Sequence, residues 1–424
     1  MPISSDEIVI KVTWLVGKMM FHRLYILFLS IAVASSTIVG STEVPDGKCL
    51  NCHRDQAGVE PAIKAPNVDT SIIKSSVHRS LSCITCHVID PLKSHKVTKA
   101  RPCATCHLEE AKGFNESPHA KGKLEHIERV PTCETCHGTH AVLSTKDPFS
   151  TTHRKNALRI CISCHEDEAV TSQAPMLPKP ARIKAYEKSV HGYAFIVKGE
   201  AIAPTCTDCH GSHRFLPADN PNSPIFKQHI SATCGQCHRD IANHYNQSVH
   251  GISLAKGILE SPTCTDCHGE HDILQPANPE SKVFVTNVSK TCSDCHTAEK
   301  IVAKFGLKAD RIATFKESFH GAASELGDLR VANCASCHGV HDIYPQSDTR
   351  SMIHAANIEN TCGKCHEGLP SDFATGAVHT SATAQGSGGE FYVRQFYIWF
   401  ISIIILAFII YRVLEYNRRI KRVD

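Results

Sequence analysis

Two apolar runs stand out along this chain of 424 residues, Leu24 to Ala34 and Phe396 to Val413, and they predict different elements. The first follows Lys18, His22 and Arg23 and gives way to small residues up to Ser41. That order of basic, apolar and small stretches is the pattern of a secretory signal, here residues 1–41. The run is short for a membrane span, and an uncleaved anchor is the alternative. Met19 or Met20 stands where such a signal opens, so translation is expected to start there. The second run has 18 residues with Arg412 as its charge. It reads as a transmembrane helix over residues 391–415, with Tyr397, Trp399 and Tyr411 as interfacial anchors. The tail, residues 416–424, carries Arg418, Arg419, Lys421 and Arg422, a cluster that belongs in the cytoplasm. A buried core helix is the competing reading, and it fits poorly with so basic an end.

Between these runs the apolar positions are short and scattered. Segments such as RDIANHYNQSVHG and DRIATFKESFHG have helical composition and end on His then Gly. Gly192, Gly251 and Gly321 sit where a glycine just past a helix C-terminus is expected, which places His191, His250 and His320 at helix ends. Pro175, Pro178 and Pro180 mark a break, and residues 380–390, rich in Gly and Ser, read as a flexible tether to the membrane helix. The expected fold is mainly α, with short helices, extensive irregular loops and almost no sheet.

Aromatic residues make up 6% of the chain, too few for large cores of ordinary side chains. The 22 cysteines account for the shortfall. All of them fall in eleven C-x-x-C-H motifs: Cys49 and Cys52, Cys83 and Cys86, Cys103 and Cys106, Cys133 and Cys136, Cys161 and Cys164, Cys206 and Cys209, Cys234 and Cys237, Cys264 and Cys267, Cys292 and Cys295, Cys334 and Cys337, Cys362 and Cys365. The adjoining histidines are His53, His87, His107, His137, His165, His210, His238, His268, His296, His338 and His366. This is the attachment signature of c-type haem. Two thiols at that spacing reach the two vinyl groups of one porphyrin, and the adjacent imidazole becomes the proximal iron ligand. Structural zinc and a disulfide framework are the alternatives, and neither explains a His after every second Cys. Eleven covalent haem c groups would supply the missing apolar mass and form a haem-packed array.

The motifs are not evenly spaced. Three occupy residues 42–130 irregularly; over residues 131–379 the remaining eight form four pairs, beginning Cys133 and Cys161, Cys206 and Cys234, Cys264 and Cys292, Cys334 and Cys362, each separated by 28 residues. An internal period of this kind marks a tandem array. The first motif of each pair continues as C-H-G-x-H, which adds His140, His213, His271 and His341.

Each iron needs a sixth ligand or an open side. Beyond the signal only Met176 and Met352 remain as methionines, so histidine must dominate. The four C-H-G-x-H histidines and six in helix-end contexts (His78, His119, His191, His250, His320 and His379) supply ten candidates, with His95 as the eleventh. His126, His153, His229, His244 and His354 read as solvated or propionate-bonding side chains, any of which could replace His95. Which distal His serves which iron is open, since a ligand can cross between repeats.

The paired motifs with C-H-G-x-H resemble the doubled C-x-x-C-H class of multihaem cytochromes c and, more loosely, the membrane-anchored quinol-dehydrogenase cytochromes. The resemblance implies an exported electron carrier with closely packed haems. Placing the anchor at the C-terminal side departs from the quinol-dehydrogenase pattern and favours a separate quinol-oxidising partner, a membrane cytochrome b or an iron–sulfur subunit, with soluble periplasmic cytochromes downstream. The expected location is the inner membrane with the haem region on its periplasmic or outer face, in anaerobic respiration. The competing expectation is an oxidoreductase resembling nitrite reductase or hydroxylamine oxidoreductase, with one open iron. The formal charge of +3 falls to about −8 once ferric haems bring their propionates, which excludes nucleic acid as a partner.

Overall fold

The computed structural model describes residues 49–50, 53, 68–89, 97–100, 102–122, 129–173, 180–308, 310–368, 370, 379–380 and 389–420. The signal segment, Cys52, His95, His126, most of the tether and the last four residues lie outside them. The chain divides into two units, residues 1–102 and 103–424.

In the first unit a short helix, Thr70–Ser75, starts where Asp69 accepts a hydrogen bond from the Ser71 amide. A motif helix, Cys83–Cys86, runs into a two-stranded antiparallel ribbon of His87–Ile89 and Val97–Ala100. This ribbon is the sheet among the described residues; elsewhere they form short helices and irregular loops, as a mainly α fold predicts.

The second unit repeats one plan four times. A first helix (Leu108–Glu116, Pro180–Lys188, Arg239–Gln247 or Asp310–Glu317) breaks at a serine and restarts as a second (Pro118–Lys121, Val190–Gly192, Val249–Ala255 or Phe319–Glu325). A loop then leads to a five-residue motif helix: Cys133–His137, Cys206–His210, Cys264–His268 or Cys334–His338. The second motif of each pair closes another helix or straddles its end: Arg154–His165, Ile230–Gly235, Val288–His296 or Ile358–Gly363.

Five residues are too few for a helix to persist by propensity; local chemistry holds each motif helix. Thr132, Thr205, Thr263 or Asn333 caps the N-terminus, in reciprocal bonds with Thr135, Asp208, Asp266 or Ser336 three residues on. At the other end Gly138, Gly211, Gly269 and Gly339 take φ of 78° to 90°, a conformation side-chain-bearing residues avoid. The Gly of C-H-G-x-H therefore stops the helix one residue after the histidine.

Little of the interior is made of large apolar side chains. Among the described residues the buried ones are Leu158, Val170, Ala203, Leu216, Ile230, Ala242, Tyr245 and Leu254. The most deeply buried side chains are instead serines, Ser76, Ser117, Ser189, Ser223, Ser248 and Ser351.

The last helix, Gly389–Ile420, is long and apolar enough to cross a membrane: within Phe391–Arg419 its most apolar 18-residue stretch has a mean hydropathy of 2.3 and none of it is buried against the rest of the chain. The helix outruns the expected span of 391–415, so Arg418 and Arg419 ride on its final turn. There they favour the carbonyl end of the helix dipole. Glu415 pairs with both Arg412 and Arg419.

Candidate haem sites

The 21 described cysteines are all free and none is buried. A free cysteine is ordinarily among the most buried residues; here the thiols stand accessible on the motif helices. Neighbouring motifs also meet. The thiol of Cys161 hydrogen-bonds that of Cys206, Cys234 that of Cys264 and Cys292 that of Cys334; this contact raises the pKa of the first of each pair and lowers that of the second, Cys334 to about 7. Burial and the nearby Cys133 thiol raise Cys103. Within the pairs, burial pushes Cys209 up to about 11, with Cys234 adding to it, and Cys136, Cys267 and Cys337 rise similarly beside Cys161, Cys295 and Cys362. Nine consecutive motifs, from Cys103 to Cys365, thus form an unbroken succession.

The attachment cysteines are not equivalent, although the motif reads alike at every copy. Cys106 and Cys237, with Cys86 and Cys365, are exposed, whereas Cys164 and Cys49 are half-buried. Cys106, Cys164 and Cys237 are not among the thiols that bridge one motif to the next. The Cys106 and Cys237 amides close a turn onto the carbonyls of Cys103 and Cys234, at 3.1 and 3.2 Å. The Cys164 sulfur lies 4.0 Å from the Ser163 hydroxyl, and Cys164 and Cys237 add to the upward push on Cys136 and Cys209.

The histidines meet in twos, and every one of the eight proximal histidines in the repeats faces a second histidine. His137 faces His213 at 5.8 Å between ring centroids, His210 faces His271 at 6.0 Å, His268 faces His341 at 6.0 Å and His338 faces His379 at 6.3 Å. His165 faces His119 at 6.1 Å, His238 faces His191 at 6.2 Å, His296 faces His250 at 6.3 Å and His366 faces His320 at 6.0 Å. Direct ring contact is closer than this. Two metal–imidazole bonds of about 2 Å, plus about 1 Å from each nitrogen to its ring centre, separate the centroids by roughly 6 Å. The residues fit an iron between each pair of rings, in bis-histidine haem coordination. Among the described residues no three His, Cys, Asp or Glu side chains converge on one point.

Two rules generate the eight facings. The first proximal His of a pair receives the C-H-G-x-H histidine of the following pair, and in the last pair His379 takes that place. The second receives the histidine of the broken helix ahead of its own pair. His78, His140, His53, His87 and His107 have interactions of their own, without a described His–His facing.

The ligand-bearing helices correct one expectation. None of Gly192, Gly251 and Gly321 is the residue just past a helix C-terminus: Gly251 and Gly321 lie inside the helix that restarts after the serine, and Gly192, with φ −63° and ψ −42°, closes Val190–Gly192 in helical conformation as the backbone runs on into a π-helical turn, Tyr193–Val197. His191, His250 and His320 therefore occupy the first turn of a helix. The physical reason is close approach: a Cβ at any of these glycines would overlap the carbonyl oxygen of Tyr186, Tyr245 or Phe315 on the preceding helix. The serines were missed as site residues, although a Ser two places before each such His is visible in the chain.

Burial keeps these imidazoles neutral, the form a metal binds. It pulls His119, His210 and His250 down to about 4, and lowers His165, His191, His268, His271, His296, His338, His341 and His379 as well. His379 is oriented by Thr314, whose hydroxyl lies 3.2 Å from Nδ1, and by Arg311, which donates to its carbonyl at 3.1 Å. Such an outer partner leaves the other ring nitrogen for the iron. Beside His271 a cleft of about 410 Å³ is lined by Arg182 and Lys282 and also by Asp266, Glu270 and Asp272, so its charge is mixed.

Of the histidines set aside as non-ligands, His229 sits where the other pairs have Asn156, Asn287 and Asn357, each five residues before the second motif. Its Nδ1 lies 2.8 Å from the Ser223 carbonyl, replacing the bonds by which the asparagines bridge loop carbonyls. His153 and His354 accept from the Lys155 and Ala356 amides, and His244 is exposed.

Residues 257–310, which contain the motifs beginning Cys264 and Cys292, match the family described as "Doubled CXXCH motif". The chain is 27% identical over 140 residues to the cytochrome c-type protein NrfB of Escherichia coli O6:H1, an alignment covering 29% of this chain and 67% of that protein. No solved structure matches. Taken with the accessible motif thiols and the facing histidines, these matches identify the chain as a multihaem c-type cytochrome built on doubled CxxCH motifs, which binds haem c covalently.

Proposed function

We propose that this cytochrome carries eleven haems and passes electrons along them, from a quinol-oxidising membrane partner to periplasmic or extracellular acceptors in anaerobic respiration. The observation that carries the reading is the unbroken succession of motifs, each proximal His of the repeats backed by a second His. Haem c supplies reversible one-electron chemistry at each motif. The cysteines would fix each porphyrin to its helix, and each facing pair of histidines would hold the iron between them and shut out external ligands. Low potentials are expected, since methionine ligation, which raises them, is nearly absent. His78, His140 and His95 are assigned to the three remaining irons, those of His53, His87 and His107. The helix of Phe391 to Arg419 is proposed as an inner-membrane anchor, with Arg418 to Arg422 inside and the haem region on the periplasmic or outer face.

The test is deletion of residues 391–424. A soluble protein that retains eleven haems by mass, accepts electrons from dithionite and loses reduction by quinol in membranes supports the reading. Equal quinol reduction of the truncated protein removes the anchor from electron entry. A substantial high-spin fraction or rapid cyanide binding in the intact protein points instead to an open iron and catalysis.

A further inference from the structure

We infer that the serine two residues before each helix-borne distal histidine is a positioning residue, a latch that aims the imidazole at the second iron of its pair. The inference rests on the bis-histidine reading above and adds a residue to it. Ser117, Ser189, Ser248 and Ser318 precede His119, His191, His250 and His320 at the same spacing. In all four the hydroxyl donates at 2.6 Å to the carbonyl three residues back, on Phe114, Tyr186, Tyr245 or Phe315. In three it also accepts from the glycine amide three residues on, at 3.0 Å for Gly192, 3.1 Å for Gly251 and 3.2 Å for Gly321. One hydroxyl therefore closes the C-terminus of one helix and caps the N-terminus of the next.

The geometry leaves the hydroxyl little freedom. Ser117, Ser189 and Ser248 are at most 1% exposed, and their backbone is extended, with ψ between 155° and 166°. The carbonyl that takes the hydroxyl proton is the one the glycine packs against, so the first turn of the second helix is pressed onto the last turn of the first. The histidine lies between the two fixed points, one residue from its glycine. An N-cap alone would tolerate Asp, Asn or Thr; at full burial the carboxylate would be unpaired and the larger groups have no room. Ser76, 2% exposed and two residues before His78, is bonded differently, its hydroxyl accepting from the His78 amide at 3.1 Å.

The experiment compares three substitutions in the full-length, haem-loaded protein, titrating the ferrous form with carbon monoxide and the ferric form with cyanide. His250→Ala should open one haem equivalent, at the His296 iron. Ser248→Ala should retain every haem, because attachment is through Cys292 and Cys295, yet bind ligand at one equivalent with a shifted potential. Ser223→Ala removes an equally buried hydroxyl that bonds the Leu216 carbonyl and precedes no distal histidine; it should open none. If Ser248→Ala cannot be assembled, Ser318→Ala, at a part-buried position, gives the same test at the His366 iron. A closed iron in the serine variant beside an open one in His250→Ala overturns the latch and leaves ligation standing. Equal opening in Ser223→Ala overturns it in favour of general packing, and a closed iron in His250→Ala overturns the ligation itself.

Discussion

The two proximal histidines of each pair are faced in different ways. The second faces a histidine from the helix just ahead of the pair, and the separation along the chain hardly varies: 46 residues from His119 to His165, 47 from His191 to His238, and 46 for both His250 to His296 and His320 to His366. The first faces one from the next pair, at 76 residues for His137 and His213, 61 for His210 and His271, and 73 for His268 and His341. The ring planes follow the same division. They lie 12° to 18° apart in the three crossing pairs and 36° to 61° apart in the four local ones. His338 with His379, where no further pair follows, is at 38°. The local facing stays within a repeat, whereas the crossing facing ties one repeat to the next. Backbone bonds reinforce the tie: the Val190 amide donates to Ile273 and the Val249 amide to Ile343, both just beyond a crossing histidine.

That difference should appear first in stability. Replacing His271 or His341 with Ala removes a crosslink between repeats as well as a buried ring, and should cost roughly 2–5 kcal/mol. His250→Ala should cost less, because Tyr245, Ser248 and Gly251 still hold its two helices together. Thermal unfolding of the holoproteins compares them, and an equal loss would break the distinction.

The next effect is spectroscopic. Either substitution should convert one low-spin iron to high spin and leave every haem attached, so absorption and haem counting read ligation apart from attachment. Unchanged spectra in His250→Ala would return that residue to the surface of its helix.

Acid should then separate the pairs by burial. A histidine held at about 4 when folded and 6.5 when unfolded takes up its proton more readily unfolded. Its contribution to stability is therefore complete above about pH 6.5 and is lost as the pH falls through about 4. Iron deepens the dependence, because proton and metal compete for one nitrogen. The irons of His165 and His296, served by His119 and His250, should lose low-spin character over that window in an acid titration monitored by absorption. A loss setting in only above pH 6.5 would contradict the burial.

The smallest effect is the ring-plane angle. Ferric low-spin irons with near-parallel imidazoles should give one family of electron paramagnetic resonance signals and those with tilted imidazoles another, His338 grouping with the tilted set. A single family would show that iron coordination erases the division.

Motif spacing made the doubled CxxCH pattern and the pool of histidines that face one another legible, because covalent haem attachment is a contiguous chemical demand written within five residues. The capping Thr or Asn and the terminating Gly of each motif helix are local for the same reason, and the length and hydropathy of the last helix suffice to propose its role. Even the local ligand rule was present as a constant interval, together with a serine whose meaning is not apparent until its two hydrogen bonds are seen. The crossing rule was not legible. His213, His271 and His341 share one sequence context, but their partners lie 61 to 76 residues away, at a distance set by how loops of unequal length fold back. Only the tertiary structure decides it, because an imidazole selects its iron by position in space. The same reason moved His191, His250 and His320 from the end of one helix to the start of another: glycine after histidine suits either place, and a neighbouring carbonyl with no room for a Cβ settled which.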